Sequence, residues 1–256
     1  MLLTSLQLPW YIMLGKLAWL VVVVLVLSSL FYGVVRLRFE AWRLLHNVLA
    51  LTVIAAGWVH SRTLSPAREH VPVDVVWWVL AGVVVVVYAW HRFIRPLRLR
   101  KRACRITEVR RETHNVWTLT FEPPEGMEPS DYLPGQFHFL TLYREGGPVE
   151  EHPFTISSSP TRERCLTSSI KASGDFTATI GDTQVGDRAA RLGPFGRFSY
   201  VLHPNESELV FVAGGIGITP LMSMLRHMRD TQADRNVLLL YGSRTEKDIV
   251  FREELE

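Results

Sequence analysis

The sequence predicts a multidomain membrane protein, in which all-α transmembrane helices precede an antiparallel β-barrel and a partial α/β domain with a parallel sheet. Three observations predict this order. Long apolar runs fill the amino-terminal part, short strands separated by turn residues follow, and an apolar strand, a glycine-rich turn and a helix come last. We therefore divide the chain into residues 1–98, 99–204 and 205–256.

Transmembrane helices are predicted at about residues 8–32, 42–63 and 72–95. Each apolar run is long enough to cross the ~30 Å hydrocarbon core of a bilayer. The first run is too long for the apolar core of a signal peptide. Basic residues cluster at 36–43 and 91–105, and positively charged segments stay in the cytoplasm. We therefore expect everything after residue 98 to be cytoplasmic.

Charge and cysteine content exclude two classes of protein. The net charge of +3 arises from the basic residues at the membrane borders, so it does not indicate nucleic-acid binding. The two cysteines, Cys104 and Cys165, form no CxxC motif. An iron–sulfur or structural zinc site is therefore not expected, and both are predicted to be unpaired thiols.

Two histidines, His46 and His60, lie within the second apolar run. Their spacing makes about 3.9 helical turns, so both rings project from one face, roughly 21 Å apart. Ionisable residues inside a membrane indicate function, and imidazole is a good ligand for haem iron. The pair would hold two haems across the bilayer, or each ring would hydrogen-bond a neighbouring helix. Neither His70 nor His91 convincingly supplies the second axial ligand that each haem needs.

The middle segment is typical of a small antiparallel barrel, because turn residues separate short runs of strand-forming residues. The segment at 165–180 adds a glycine break and a helix start after its strand. The glycines at 193–196 are expected to turn the chain at the barrel edge. The predicted strand segments are 115–124, 129–143, 150–160, 165–180 and 186–198.

The last segment begins with a strand, a glycine turn and a helix at residues 208–228. Gly214, Gly215 and Gly217 allow close backbone approach, while Thr219 and Pro220 suit a helix start. Backbone N–H groups at such a turn can face a pyrophosphate. A second strand at 236–244 completes a parallel βαβ unit. Alone, the glycine turn is a weak indication of nucleotide binding.

The second strand ends at Ser243 and Arg244. No carboxylate stands where an acceptor for a ribose 2′-hydroxyl would be expected, and an arginine there suits a 2′-phosphate. This favours NADPH over NADH. The alternative is an ordinary exposed arginine after a strand.

Four motifs, HPFT, GDFT, GPFG and AGGIGITP, follow the paired histidines in this order. Together they resemble the NADPH oxidase and ferric reductase family, in its bacterial form, and the soluble half is similar to ferredoxin–NADP reductase. The resemblance covers nearly the whole chain, and the ordered set is specific although each motif alone is not. It implies FAD and NADPH (or NADH) as cofactors, haem b in the membrane, and a bacterial inner-membrane protein.

The resemblance also assigns roles to residues. Phe154 would lie against the flavin ring and Thr155 would place its hydroxyl near flavin N5, which makes these two the catalytic residues. Lys171 would neutralise phosphate charge. The alternatives are a barrel-core aromatic at Phe154 and a solvated lysine. The residues expected to bind FAD are His152, Pro153, Phe154, Thr155, Ile170, Lys171, Gly174, Asp175, Phe176 and Thr177; those expected to bind NADP are Gly214, Gly215, Ile216, Gly217, Thr219, Pro220, Ser243 and Arg244; those expected to bind haem iron are His46 and His60.

The chain departs from the family pattern at both ends. Family members have six core membrane helices, of which the three predicted here resemble the last three, and they continue beyond residue 256 with more βα units. We therefore expect a fragment, with a complementing membrane subunit as the alternative. The implied activity passes electrons from NAD(P)H through FAD and two haems to external oxygen or ferric iron. The competing hypothesis is a membrane-tethered flavin and nucleotide module without transmembrane electron transfer.

Overall fold

The computed structural model describes residues 9–35, 39–64, 71–127, 131–161 and 165–256. The chain divides into two compact units, Met1–Arg92 and Phe93–Glu256. The predictions that concern His70, residues 36–38 and residues 129–130 lie outside the described residues.

The amino-terminal unit is helical, and three stretches are long and apolar enough to cross a membrane: Trp10–Leu30, Ala41–Leu64 and Val73–Lys101. The last stretch extends past the unit boundary through a π-helical turn, Trp90–Ile94. The helices are α1 (Trp10–Leu30), α2 (Tyr32–Val35), α3 (Phe39–Leu64), α4 (Val71–Ala89) and α5 (Arg95–Lys101).

Polar and aromatic contacts join these helices. The indole N–H of Trp42 on α3 donates to the carbonyl oxygen of Ser28 on α1 at 3.2 Å. Arg62 on α3 pairs with Asp74 on α4 at 2.6 Å and lies over the ring of Trp78. The valines of α4 remain largely exposed. Such uncovered apolar surface marks a membrane or protein interaction site.

The second unit contains a six-stranded antiparallel sheet with the order β4-β3-β6-β1-β2-β5. Its interior is filled by fully buried side chains such as Ile106, Leu119, Phe121 and Leu140. A short helix, α6 (Asp175–Ala178), follows the strand β5. The strands are β1 (Cys104–Thr113), β2 (Val116–Glu122), β3 (Phe137–Tyr143), β4 (Glu151–Thr155), β5 (Leu166–Lys171) and β6 (Arg188–Phe195).

Two features of the sheet differ from the sequence prediction. Strand β1 is absent from the predicted strand segments. Its exposed positions carry charged side chains such as Arg105, Glu108 and Arg110, which hide the alternation typical of a strand. The first of the GPFG glycines does not turn the chain at the barrel edge, whereas Gly196 follows the end of β6 at φ +98°. Gly193 lies within β6, at φ +133°, where the register with β3 shifts between Phe137 and Phe139. This motif therefore builds a strand irregularity, a geometry that glycine permits.

The carboxyl-terminal part of this unit is a βαβ unit. Strand β7 (Glu208–Gly214) leads through a 3₁₀ turn, Gly215–Ile218, into α7 (Thr219–Thr231) and then into β8 (Asn236–Gly242). The two strands are parallel, with Gly214 opposite Gly242. A short helix, α8 (Arg252–Leu255), follows. One face of the strand pair packs on α7. Because the two strands are parallel, the turn after β7 and the segment after β8 lie at the same edge of the sheet.

Candidate functional site

Strand β4 brings several of the predicted flavin residues together. Side chains alternate along a strand, so His152 and Phe154 share one face, whereas Thr155 lies on the other, opposite Phe137 of β3. The His152 ring stacks on Phe176 with centroids 4.1 Å apart. Phe154 lies 6.4 Å from the same ring at an interplanar angle of 24°. These three rings form an aromatic wall beside the end of β4.

The turn between β5 and α6 carries the predicted phosphate contacts. The backbone N–H groups of Ser173 and Gly174 donate to Thr177 Oγ1 at 3.0 and 2.9 Å. A Cβ at Gly174 would meet only this Oγ1, at 3.9 Å, so the turn is open on that side. Lys171, at the end of β5, is half-buried. An open glycine turn beside a lysine fits the diphosphate of FAD.

Two predicted flavin residues have their side chains inside the protein. Ile170 is 1% exposed in the barrel core, where it pairs with Trp117 of β2. Only the backbone of Ile170 could therefore contact a flavin. Phe176 is 5% exposed and supports His152 from beneath.

A buried arginine outside the predicted site residues holds the segment after α6. Arg144 is 9% exposed; its NH1 donates to the carbonyl oxygen of Thr179 and its NH2 to the Thr179 hydroxyl at 2.8 Å. Its guanidinium lies 5.5 Å from the centroid of the Phe176 ring. Burial lowers the pKa of Arg144. In the sequence this residue begins a polar REGG turn, which gave no indication of burial.

A second buried polar cluster lies inside the barrel. Arg191 Nε donates to Nδ1 of His138 at 3.1 Å, so His138 donates from Nε2 to Ser168 Oγ at 2.8 Å. Burial, followed by the charge of Arg191, holds the pKa of His138 well below its usual value. Cys104 also lies beside Arg191, and burial raises the pKa of its thiol. Both Cys104 and Cys165 are free, as predicted.

The glycine turn after β7 leaves open space on its outer side. A Cβ at Gly214, Gly215 or Gly217 would meet nothing within 4 Å, and Gly215 has a φ of +50°. The Thr219 hydroxyl donates to the carbonyl oxygen of Ile216 at 3.0 Å, and Pro220 occupies the first turn of α7. Thr219 therefore stabilises the turn, and the backbone faces the open side. This cradle fits the pyrophosphate of a dinucleotide.

The end of β8 lies at the same edge of the sheet. Because Gly214 pairs with Gly242, Ser243 and Arg244 follow directly beside the glycine turn. The Ser243 hydroxyl oxygen is buried and has no hydrogen-bond partner among the described residues. Arg244 is exposed. An unpaired hydroxyl and an exposed guanidinium at the carboxyl ends of parallel strands fit the ribose and phosphate of a nucleotide.

In the helical unit, both predicted haem ligands contact α1. His60 Nδ1 donates to the carbonyl oxygen of Tyr11 at 2.6 Å, and His46 Nδ1 lies 3.3 Å from Ser29 Oγ. A Cβ at Gly15 would lie 2.4 Å from Cε1 of the His60 ring, so the ring is covered by α1. These contacts agree with the alternative prediction, in which each histidine hydrogen-bonds a neighbouring helix.

These histidines do not fit a six-coordinate haem within the described residues. Helices α1 and α4 contain no histidine, so neither supplies a second axial ligand. The described residues also contain no group of three His, Cys, Asp or Glu side chains that would bind a metal ion.

Comparison with known families identifies the second unit. Residues 101–192 match a family described as an FAD-binding domain, and residues 211–256 match one described as an oxidoreductase NAD-binding domain. Together the two matches indicate an FAD-binding domain followed by an oxidoreductase NAD-binding domain. The matches support the predicted FAD-binding and NAD(P)-binding domains, whose bounds at 99–204 and 205–256 stay predictions. Both matches lie after residue 100, so the resemblance of the helices to ferric reductases stays a prediction.

Individual relatives agree with this assignment. The stachydrine N-demethylase reductase subunit Stc4 of Rhizobium meliloti is 35% identical over 57% of this chain and 41% of its own length. The glycine betaine monooxygenase reductase subunit of Chromohalobacter salexigens is 34% identical over 59% of this chain and 41% of its own length. The chain thus spans about two fifths of these relatives.

A solved structure supports the fold of the module. The flavohaem-like FAD/NAD-binding domain of nitric oxide dioxygenase from Vibrio cholerae superposes with a TM-score of 0.54 at 23% identity. The match covers 60% of this chain and 67% of that domain.

Proposed function

We propose that this chain is a membrane-anchored reductase module that takes a hydride from NADPH onto FAD and delivers electrons singly to a redox partner. The occurrence of two complementary half-sites in one unit carries the proposal. One is the aromatic wall and glycine turn around His152 and Gly174, and the other is the open turn at 214–217. The long apolar helices support anchoring in a bacterial inner membrane. The basic residues at 91–105 favour a cytoplasmic module.

The residues of the first half-site would bind and orient FAD. Lys171 and the turn at Gly174 would hold the diphosphate, Phe154 would lie against the ring system, and Thr155 would hydrogen-bond its edge. Bound flavin supplies the conversion from two-electron to one-electron transfer, while the protein supplies position and shielding.

The residues of the second half-site would bind the dinucleotide. The backbone at 214–217 would receive the pyrophosphate, Ser243 would find its missing hydrogen-bond partner, and Arg244 would pair with a 2′-phosphate. This last contact favours NADPH, because a guanidinium binds a phosphate with charge-assisted hydrogen bonds.

The acceptor follows from the named relatives, which are reductase subunits of a demethylase and a monooxygenase. We infer that a separate oxygenase component receives the electrons. The second candidate is the flavocytochrome, in which haems at His46 and His60 carry electrons to external oxygen or ferric iron. The shared face of these histidines on α3 favours it. It requires a complementing membrane subunit that supplies the other axial ligands.

A spectrum of the purified full chain tests the proposal. We expect a flavin spectrum after incubation with FAD, and bleaching of that spectrum by NADPH under anaerobic conditions. A Gly217→Val variant should keep FAD but lose reduction by NADPH, because the added side chain fills only the open side of the turn. Failure to take up FAD at micromolar concentrations would refute the flavin site. Haem bands would instead favour the flavocytochrome.

A further inference from the structure

One face of α7 is hydrogen-bonded to the segment that leaves the flavin strand. The Ser223 hydroxyl donates to the carbonyl oxygen of Ser158 at 2.6 Å. Arg226 NH1 donates to the carbonyl oxygen of Ser157, also at 2.6 Å. Farther along, Asp230 accepts from the Thr161 hydroxyl at 2.6 Å. Spacings of three and four residues place these contacts on one helix face.

Arg226 is the most strongly oriented of the three α7 residues. Its Nε and NH2 donate to the two carboxylate oxygens of Glu254 at 2.9 and 2.5 Å, and its guanidinium lies 4.7 Å from the centroid of the Phe251 ring. Hydrogen bonds from Arg226 are the main cause that lowers the pKa of Glu254. A planar fork held in this way aims its remaining NH1 at Ser157.

Apolar packing alone does not fix this part of the module. A polar cavity of about 330 Å³ lies beside Arg226, between α7 and the barrel. Its wall is formed mainly by hydroxyl, carboxylate and guanidinium groups. On this side α7 therefore meets the barrel through directed hydrogen bonds, while apolar residues of the same helix, such as Leu221 and Met224, are buried in a hydrophobic core. The barrel residues in the wall are Glu108, Arg110, Thr118, Thr120, Ser159 and Thr167.

We propose that Arg226 is a positioning residue that sets the dinucleotide turn against the flavin strand. Ser157 follows Thr155 by two residues, and α7 begins directly after the glycine turn. The guanidinium of Arg226 therefore connects the two half-sites: α7 leads back to the glycine turn, and the segment at Ser157 leads back to the flavin strand β4. This inference rests on the proposed function, because hydride transfer needs the two cofactors in register. A displacement of about 1 Å can slow such a step about 100-fold.

The test uses the full chain with FAD and compares Arg226→Met and Arg226→Lys with a control, Arg229→Met. Arg229 also pairs with Glu254 and Asp230, but its side chain is 66% exposed. We expect Arg226→Met to slow the limiting rate of flavin reduction about 10- to 100-fold, with unchanged affinities for FAD and NADPH. Arg226→Lys keeps the charge but not the fork, so it should recover only part of the rate. The control should match the wild type.

Hydrogen exchange provides a readout that needs no turnover. FAD binding to the wild-type barrel should slow amide exchange in α7. This transmitted protection should disappear in Arg226→Met, be reduced in Arg226→Lys and persist in Arg229→Met. Equal rates and equal protection in Arg226 and Arg229 variants would overturn the inference and leave the proposed function intact. A wild-type chain that binds FAD but is not reduced would refute the proposed function, while hydrogen exchange would still decide the role of Arg226. A chain that binds no FAD would refute both.

Discussion

His60 Nδ1 lies 2.6 Å from the carbonyl oxygen of Tyr11, and the same imidazole ring covers Gly15. This hydrogen bond joins α3 to α1. It depends on Gly15 of α1, because any side chain at that position would overlap the His60 ring. A carbonyl oxygen can only accept, so Nδ1 of His60 carries the proton of this hydrogen bond. The small residue and the ring together set the distance between the two helices.

Replacing Gly15 tests this contact. We expect Gly15→Ala to destabilise the helical unit by about 1–3 kcal/mol, because the added methyl group overlaps the ring. The matched control is Gly57→Ala on α3, where a Cβ would meet nothing within 4 Å. Thermal unfolding of the full chain in detergent, followed by circular dichroism, measures the difference. Equal melting temperatures for the two variants would contradict the contact.

The same geometry predicts how the chain responds to haem. We expect the purified full chain, titrated with haemin, to give no low-spin spectrum of six-coordinate haem, because α1 covers His60 and α1 and α4 contain no histidine. Coexpression with a helical segment that carries a matching pair of histidines should create that spectrum. His46→Ala and His60→Ala should then each remove one haem. A low-spin spectrum from the chain alone would show that the helices rearrange.

Local motifs could be predicted from the sequence, whereas contacts between distant segments could not. The glycines at 214–217 form a turn because their freedom of backbone conformation is a property of those residues. The charges of β1 hid a strand whose inward positions, such as Ile106, are completely buried. Arg226 and Arg144 look like solvated arginines in the sequence. Their roles depend on Ser157 and Thr179, which lie far away in the chain.

Arg244 should determine the preference between the two nicotinamide cofactors. We expect Arg244→Ala to raise the KM for NADPH about 10- to 150-fold and leave that for NADH unchanged, because a hydrogen bond to a charged group contributes about 1.5–3 kcal/mol. Lys247→Ala, which removes another exposed cation nearby, is the control. Steady-state reduction of ferricyanide with each cofactor measures this. A parallel rise for both cofactors would place Arg244 away from the 2′-phosphate.

The buried His138 predicts a loss of stability in acid. Its pKa in the folded protein lies well below the usual value, so at acidic pH the unfolded chain binds a proton that the folded chain does not. The contribution of His138 to the free energy of unfolding is therefore fully present above about pH 6.5. Below that pH the free energy of unfolding falls by up to about 1.4 kcal/mol per pH unit. Urea unfolding of the full chain between pH 7.5 and 5.5 should show this slope. A His138→Gln variant should be less stable at neutral pH and show a shallower slope; an unchanged slope would exclude His138 as its source.

Arg144 holds Thr179 immediately after the proposed phosphate turn. Arg144→Met removes the hydrogen bonds to the Thr179 carbonyl and hydroxyl groups and leaves both without this donor. We expect a loss of about 2–3 kcal/mol in the free energy of unfolding. FAD affinity should also decrease, because the turn at Gly174 precedes the released segment by only a few residues.

Arg197→Met, at an exposed position, is the control. Fluorescence titration with FAD, at a temperature where both variants are folded, separates binding from stability. Loss of stability with unchanged FAD affinity would mean that Arg144 supports the barrel alone and that the diphosphate does not lie at this turn.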